Sequence, residues 1–144
     1  MISRFLFPRY ADERLFSFFL LILRVVVGVM FMMHGFDKLI NMTVYSDNFL
    51  DPLYMGPQWS LVAAMFAELF CSAAFVLGLL YRLSMIPMIL VMLVAFFGVH
   101  GGSMAEGELA FVYLVVFLIM YAAGPGRYSL DYMIWKALAS DKKK

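Results

Sequence analysis

Four long apolar runs, separated by short polar clusters, set the pattern of the chain. They cover about residues 16–33, 61–80, 83–99 and 109–123. A helix crosses the hydrocarbon core with roughly 17–25 apolar residues, so the third and fourth runs need flanking residues to complete a span. The expected fold is all-α, a four-transmembrane-helix bundle forming a single membrane domain over 1–144. Its helices are placed at about 16–34, 60–80, 83–100 and 108–124, with an outer loop over 35–59 and an inner tail over 125–144. The loop contains Pro52 and Pro57, is too polar to span, and is expected to lie over the bundle as a lid. In the tail, Leu130, Met133, Ile134 and Leu138 recur at helical spacing, which predicts an amphipathic helix lying on the membrane surface. Trp59, Tyr128, Tyr132 and Trp135 suit the membrane–water interface.

Charge gives the expected orientation. Arg4, Arg9 and Arg14 precede the first helix, Arg82 separates the second from the third, and Arg127, Lys136, Lys142, Lys143 and Lys144 follow the fourth. The remaining two loops hold only Lys38. Lys and Arg favour the cytoplasmic side, so both termini are expected there. The segment after the first helix, His34-Gly35-Phe36-Asp37-Lys38, offers no small-residue cleavage site, and Arg24 does not suit a signal sequence. The first helix is therefore read as an uncleaved anchor.

Composition agrees with a membrane protein. Of 144 residues 65% are hydrophobic, and mean hydropathy is +0.89, where soluble domains are roughly half apolar. A net charge of +1 provides no broad basic surface for nucleic acid. The single cysteine, Cys71, excludes an internal disulfide or dithiol redox pair. The 13 methionines are scattered through every helix as flexible apolar filler rather than grouped as copper ligands. No phosphate-binding loop, nucleophile elbow or zinc-protease motif is present.

Two charges interrupt the apolar runs. Arg24 lies ten residues below His34, roughly 15 Å along a helix, and Glu68 lies eight residues in from Ser60, roughly 12 Å. If His34 and Ser60 mark the same membrane surface, the two charges meet at similar depth, which predicts an Arg24–Glu68 ion pair facing the bundle interior. A lone charge there costs about 2.5–3.5 kcal/mol on insertion scales. The pair has two readings, a device that sets helix register or part of a functional site. Arg24, Gly28, Phe31, Gly35 and Lys38 share one stripe of the first helix. Ser72, one turn from Glu68, is placed in the same cavity. On the second helix Ala63, Ala67, Cys71, Ala74 and Gly78 form a small-residue stripe, expected to admit a neighbouring helix closely.

At the outer surface His34 ends the first helix and His100 the third. Asp37, Lys38, Glu106 and Glu108 belong to the same layer. Two histidines with carboxylates are a donor set for a metal or a haem, but the spacing carries no ligand signature. The preferred reading is of histidines that simply cap helix ends in the wet interface; the alternatives are a shared polar pocket and a proton relay to a quinone.

These residues resemble a known family. Leu23-Arg24-Val25-Val26-Val27-Gly28-Val29-Met30-Phe31-Met32-Met33-His34-Gly35-Phe36-Asp37-Lys38-Leu39 is similar to the opening signature of the DoxX family. Glu68 followed by Leu77-Gly78-Leu79-Leu80-Tyr81-Arg82, then Val99-His100 and Gly107-Glu108-Leu109-Ala110, resembles its middle segments. Gly124-Pro125-Gly126-Arg127-Tyr128-Ser129-Leu130-Asp131 resembles its closing element. Cys71 and Ser72 stand where the family often has glycine, and both are still small. The resemblance implies a multi-pass protein of the bacterial inner membrane, related to the membrane subunit of a thiosulfate:quinone oxidoreductase.

Three functions follow. The first is a quinone-linked oxidoreductase subunit, with Arg24, Glu68, His34 and His100 as catalytic residues, Lys38, Ser72 and Glu108 as substrate-binding residues, and no metal. Quinone is the expected cofactor, and electrons must come from a partner or a small reductant. The second is a scaffold that recruits soluble redox enzymes. The third is a small-molecule or proton carrier, which with four helices would need to form a homo-oligomer in the lipid bilayer.

Overall fold

The computed structural model describes residues 12–52 and 54–141. Arg4 and Arg9, and Lys142, Lys143 and Lys144, which carry part of the charge bias, lie outside the described residues. Helix α1 spans Glu13–Ile40, α2 Met42–Tyr45, α3 Pro57–Leu77, α4 Tyr81–Val99, α5 Met104–Ala123 and α6 Leu130–Asp141. Helices α1, α3, α4 and α5 are each long and apolar enough to cross a membrane, and the described residues contain no strand.

Local chemistry sets the boundaries. The Asp12 side chain accepts from the Arg14 amide at the start of α1, relieving an unpaired helix N–H. Pro57 opens α3, where its missing N–H costs nothing, behind Gly56 at φ +100°. Asp51 braces this entry by accepting from the amides of Met55 and Gly56 and from the Ser60 hydroxyl. The α3–α4 turn is capped from far along the chain. Both Asp131 carboxylate oxygens accept amide hydrogens, from Leu80 and Tyr81, each at 2.8 Å, and the Asp131 amide donates to Gly78 O.

The first helix runs 28 residues, longer than the expected 16–34. The Gly35-Phe36-Asp37-Lys38 cluster reads as an outer loop, but it continues the helix because Gly35 packs on α3 and Lys38 finds a partner there. The loop is correspondingly shorter and includes the turn of α2. Its Leu50 packs beside Gly98 at the end of α4. The C-terminal segment is the expected helix, α6, with Met133, Ile134, Trp135 and Leu138 exposed.

The core is aromatic and methionine-rich. Phe31, Phe75, Phe117, Met85 and Met88 are fully buried. Phe31 and Phe117 meet edge-on at 5.0 Å, and Phe75 stacks on Tyr81 at 5.5 Å. The Tyr81 hydroxyl donates to Met120 O, linking α4 to α5. Two π-type segments interrupt the α-helical pattern, Ala67–Cys71 within α3 and Val94–Val99 at the end of α4. The first shifts the register of α3. Ala63 is exposed and Ala74 only half-buried, while Ala67, Cys71 and Phe75 face inward, so the expected small-residue stripe is only partly the packing face.

Candidate functional site: two buried charges at different levels of the bundle

Glycine contacts fix how α1 and α3 run past each other. A Cβ on Gly28 would meet Val76 at 2.4 Å, and one on Gly35 would meet Leu69 at 2.7 Å and the Glu68 Cβ at 3.0 Å. Further down α1, the Arg24 guanidinium lies 2.6 Å from where a Gly78 Cβ would stand. Glu68 is therefore level with Gly35. Arg24 is eleven residues away on α1, roughly 16 Å along the axis.

The expected Arg24–Glu68 ion pair does not form. The depth comparison took His34 as the end of α1, whereas the helix continues to Ile40 and its stripe meets α3 in a shifted register. Glu68 pairs instead with Lys38, whose Nζ donates to both carboxylate oxygens at 2.7 and 3.0 Å. Glu68 is 2% exposed and Lys38 21%, so the pair is largely out of solvent. Glu68 sits in the π-type turn, a feature frequent at functional sites.

Arg24 is 1% exposed and has a different solution. Its two terminal nitrogens donate to the carbonyls of Pro125 and Tyr128, each at 2.6 Å. The Gly124-Pro125-Gly126 turn brings these carbonyls in, just past the C-terminus of α5, where the helix dipole favours a cation. Ser129 and Asp131, with Gly78 at φ +67°, complete the knot. Arg24 Nε remains buried without a partner. An exposed Arg127–Glu13 ion pair closes over the same end, beside an open groove of about 480 Å³ lined by Phe16, Leu20, Pro125, Tyr132 and Trp135 among others.

Of the remaining residues of the expected outer layer, His34 makes its contacts beside the Lys38 turn. His34 is one turn before Lys38 and packs edge-on against Tyr113 of α5 at 5.8 Å. His100 closes the second π-type segment through its amide, which donates to Ala95 O, and its Cβ sits 3.0 Å from where a Gly107 side chain would begin. No hydrogen bond or ring contact joins His100 to His34. Asp37 organises the α1–α2 corner, accepting from the Asn41 side chain and the Tyr45 hydroxyl. That bond, with the field of the same carboxylate, pushes the Tyr45 hydroxyl above its ordinary pKa. Glu106 and Glu108 are exposed at the start of α5. Ser72 is fully buried, but its hydroxyl turns to Ala67 O of its own helix at 3.5 Å rather than to Glu68. Among the described residues no group of three or more His, Cys, Asp or Glu is placed to hold a metal ion. Sequence reasoning misses Tyr113, and it names Lys38 as a substrate-binding residue but counts it within the outer loop over 35–59. Its position on the Arg24–Gly28–Phe31–Gly35 stripe was the signal that Lys38 belongs to the helix.

The DoxX family profile matches residues 19–101. The chain belongs to the DoxX family. The match covers most of α1 and all of α3 and α4, including Arg24, Lys38 and Glu68, and stops before α5. An uncharacterized protein of Haemophilus influenzae is 30% identical over 136 residues, spanning 86% of this chain and 96% of that one. No solved structure matches the chain significantly. This DoxX chain thus draws its two α1 charges and Glu68 from the matched segment. The carbonyls that hold Arg24, and Asp131, come from the segment that follows it.

Proposed function

We propose that this DoxX-family protein is a quinone-linked oxidoreductase subunit of the bacterial cytoplasmic membrane, with both termini cytoplasmic. Its reactive end is the Lys38–Glu68 pair with His34 one helical turn away. Arg24 takes a structural role at the opposite end. The observation that carries this reading is a carboxylate and an ammonium held together inside the bundle at a π-type turn, one helical turn from an exposed imidazole. Ionisable residues within membrane spans mark functional sites by default.

Converting a quinone to a quinol consumes two electrons and two protons. The Lys38 end supplies the proton side of that balance. Lys38 stabilises negative charge growing on a quinone oxygen, and His34 and Glu68 each pass one proton, drawn in turn from the aqueous face. Electrons come from a soluble redox partner or a small reductant, because a lone cysteine provides no dithiol couple.

The test is a reduced-minus-oxidised ultraviolet difference spectrum of protein purified in mild detergent with native lipid. A quinone band above a mock-purified lipid control is expected. Glu68→Gln should lose it, and folded Arg24→Lys should keep it. A featureless spectrum, together with no saturable binding of added quinone, would sink the proposal. It would favour the second reading, a scaffold for soluble redox enzymes. That reading has its own support in the exposed apolar side chains of α6, held at the Arg24 knot beside the groove.

A further inference from the structure

Tyr113 has a buried hydroxyl with no hydrogen-bond partner. The residue is 6% exposed and its ring lies among Phe31, His34 and Phe117, with centroids at 5.3, 5.8 and 5.8 Å. Phenylalanine would fill the same space without burying an unpaired hydroxyl, so the oxygen is a standing cost to the fold unless something accepts from it. Its surroundings indicate what. The flanking rings are flat and apolar. His34 is exposed on the flank of the bundle between α1 and α5, and an exposed side chain changes rotamer within picoseconds to nanoseconds. A planar molecule arriving from the lipid meets His34 first, then aromatic edges, then a free hydroxyl donor. Lys38 lies one turn above. Apolar walls with a few placed polar groups are the lining that small-molecule sites use, and here the exposed His34 side chain is the part that must swing aside to admit one.

We propose that Tyr113 is a substrate-binding residue whose hydroxyl donates to a carbonyl oxygen of a quinone entering laterally from the bilayer between α1 and α5, with His34 at the mouth. The inference rests on the quinone reading above and deepens it by assigning the donor and the route. It requires an acceptor oxygen on a flat ring, and sets the head group one turn deeper in the bundle than Lys38.

The experiment compares wild-type protein with Tyr113→Phe in lipid nanodiscs, titrating a short-tailed benzoquinone and recording thermal unfolding without it. Tyr113→Phe keeps the ring and removes only the oxygen. The quinone Kd should rise about fivefold, the worth of one neutral hydrogen bond, while the ligand-free Tm stays level or rises. A photoreactive benzoquinone should label peptides from α1 and α5 in preference to α4. An unchanged Kd in Tyr113→Phe would overturn the Tyr113 assignment and leave the quinone reading standing. An unchanged Kd with a lowered Tm would also overturn it, assigning the hydroxyl to a structural water. No saturable binding by the wild-type protein would overturn both.

Discussion

Helix α1 buries two cations on one stripe and solves each differently. Arg24 spends its two terminal nitrogens on the backbone carbonyls of a turn that follows α5. Lys38 meets a single carboxylate on α3. The choice of side chain fits each solution. A planar guanidinium fork spans two carbonyls set apart in space, whereas an ammonium is a compact point charge that suits one carboxylate. The comparison separates roles as well. Backbone carbonyls neither accept nor release protons at ordinary pH, and through them the Arg24 knot ties distant chain segments together. A Lys–Glu pair joins two groups that exchange protons, next to a histidine. The two charges that the sequence suggests should join therefore lie at different levels of the bundle, one held by backbone carbonyls and the other by an ammonium.

The sharpest way to break this contrast is to orphan one member of the ion pair. Lys38→Met leaves Glu68 without its partner and should cost about 3–5 kcal/mol of stability, whereas Lys38→Met with Glu68→Met should recover most of that loss. Thermal unfolding in detergent of the single and double variants measures both. If the double variant is as unstable as the single, the pair is not the source of the loss. The next effect is at the other end. Arg24→Gln removes the fork from the Pro125 and Tyr128 carbonyls and should destabilise by about 2–3 kcal/mol. Folded Arg24→Gln should bind quinone as the wild type does. A changed Kd at unchanged fold would join the ends that the structure separates. The smallest effect concerns the cap borrowed by α4. Asp131→Ala should cost about 1 kcal/mol, as for loss of an ordinary N-cap. Faster hydrogen exchange at the Leu80 and Tyr81 amides, with no change at Glu68, would place that loss at the Arg24 end.

Much of the architecture is legible in the chain. The four spans follow from apolar run length alone, and α6 from the spacing of Leu130, Met133, Ile134 and Leu138. The buried stripe on α1 also appears as read, with Arg24, Gly28, Phe31 and Gly35 all inward. Partner choice was not legible. Antiparallel helices can slide by a turn without changing which face is apolar, so depth counted from assumed ends carries the error in those ends. Reading His34 as the terminus of a helix that runs to Ile40 was enough to set Arg24 opposite Glu68. The π-type turn at Ala67–Cys71 has no sequence mark, because it arises from packing that favours one extra residue in the turn. Along α3 Phe75 rather than Ala74 faces the core.

The sequence by itself determined that this chain fills a membrane, how many helices are long and apolar enough to span it, and which residues carry buried charge. These follow from hydrophobic length and from the cost of placing ions in hydrocarbon, both properties of local composition. Only the tertiary structure decided that Glu68 belongs to Lys38, that Arg24 belongs to the Gly124-Pro125-Gly126 turn, and that Tyr113 keeps an unpaired hydroxyl beside His34. Each of these depends on side chains distant in sequence meeting at ångström precision. Glycine contacts between α1 and α3 set that register, and the shared aromatic core of Phe31, Phe75 and Phe117 holds it.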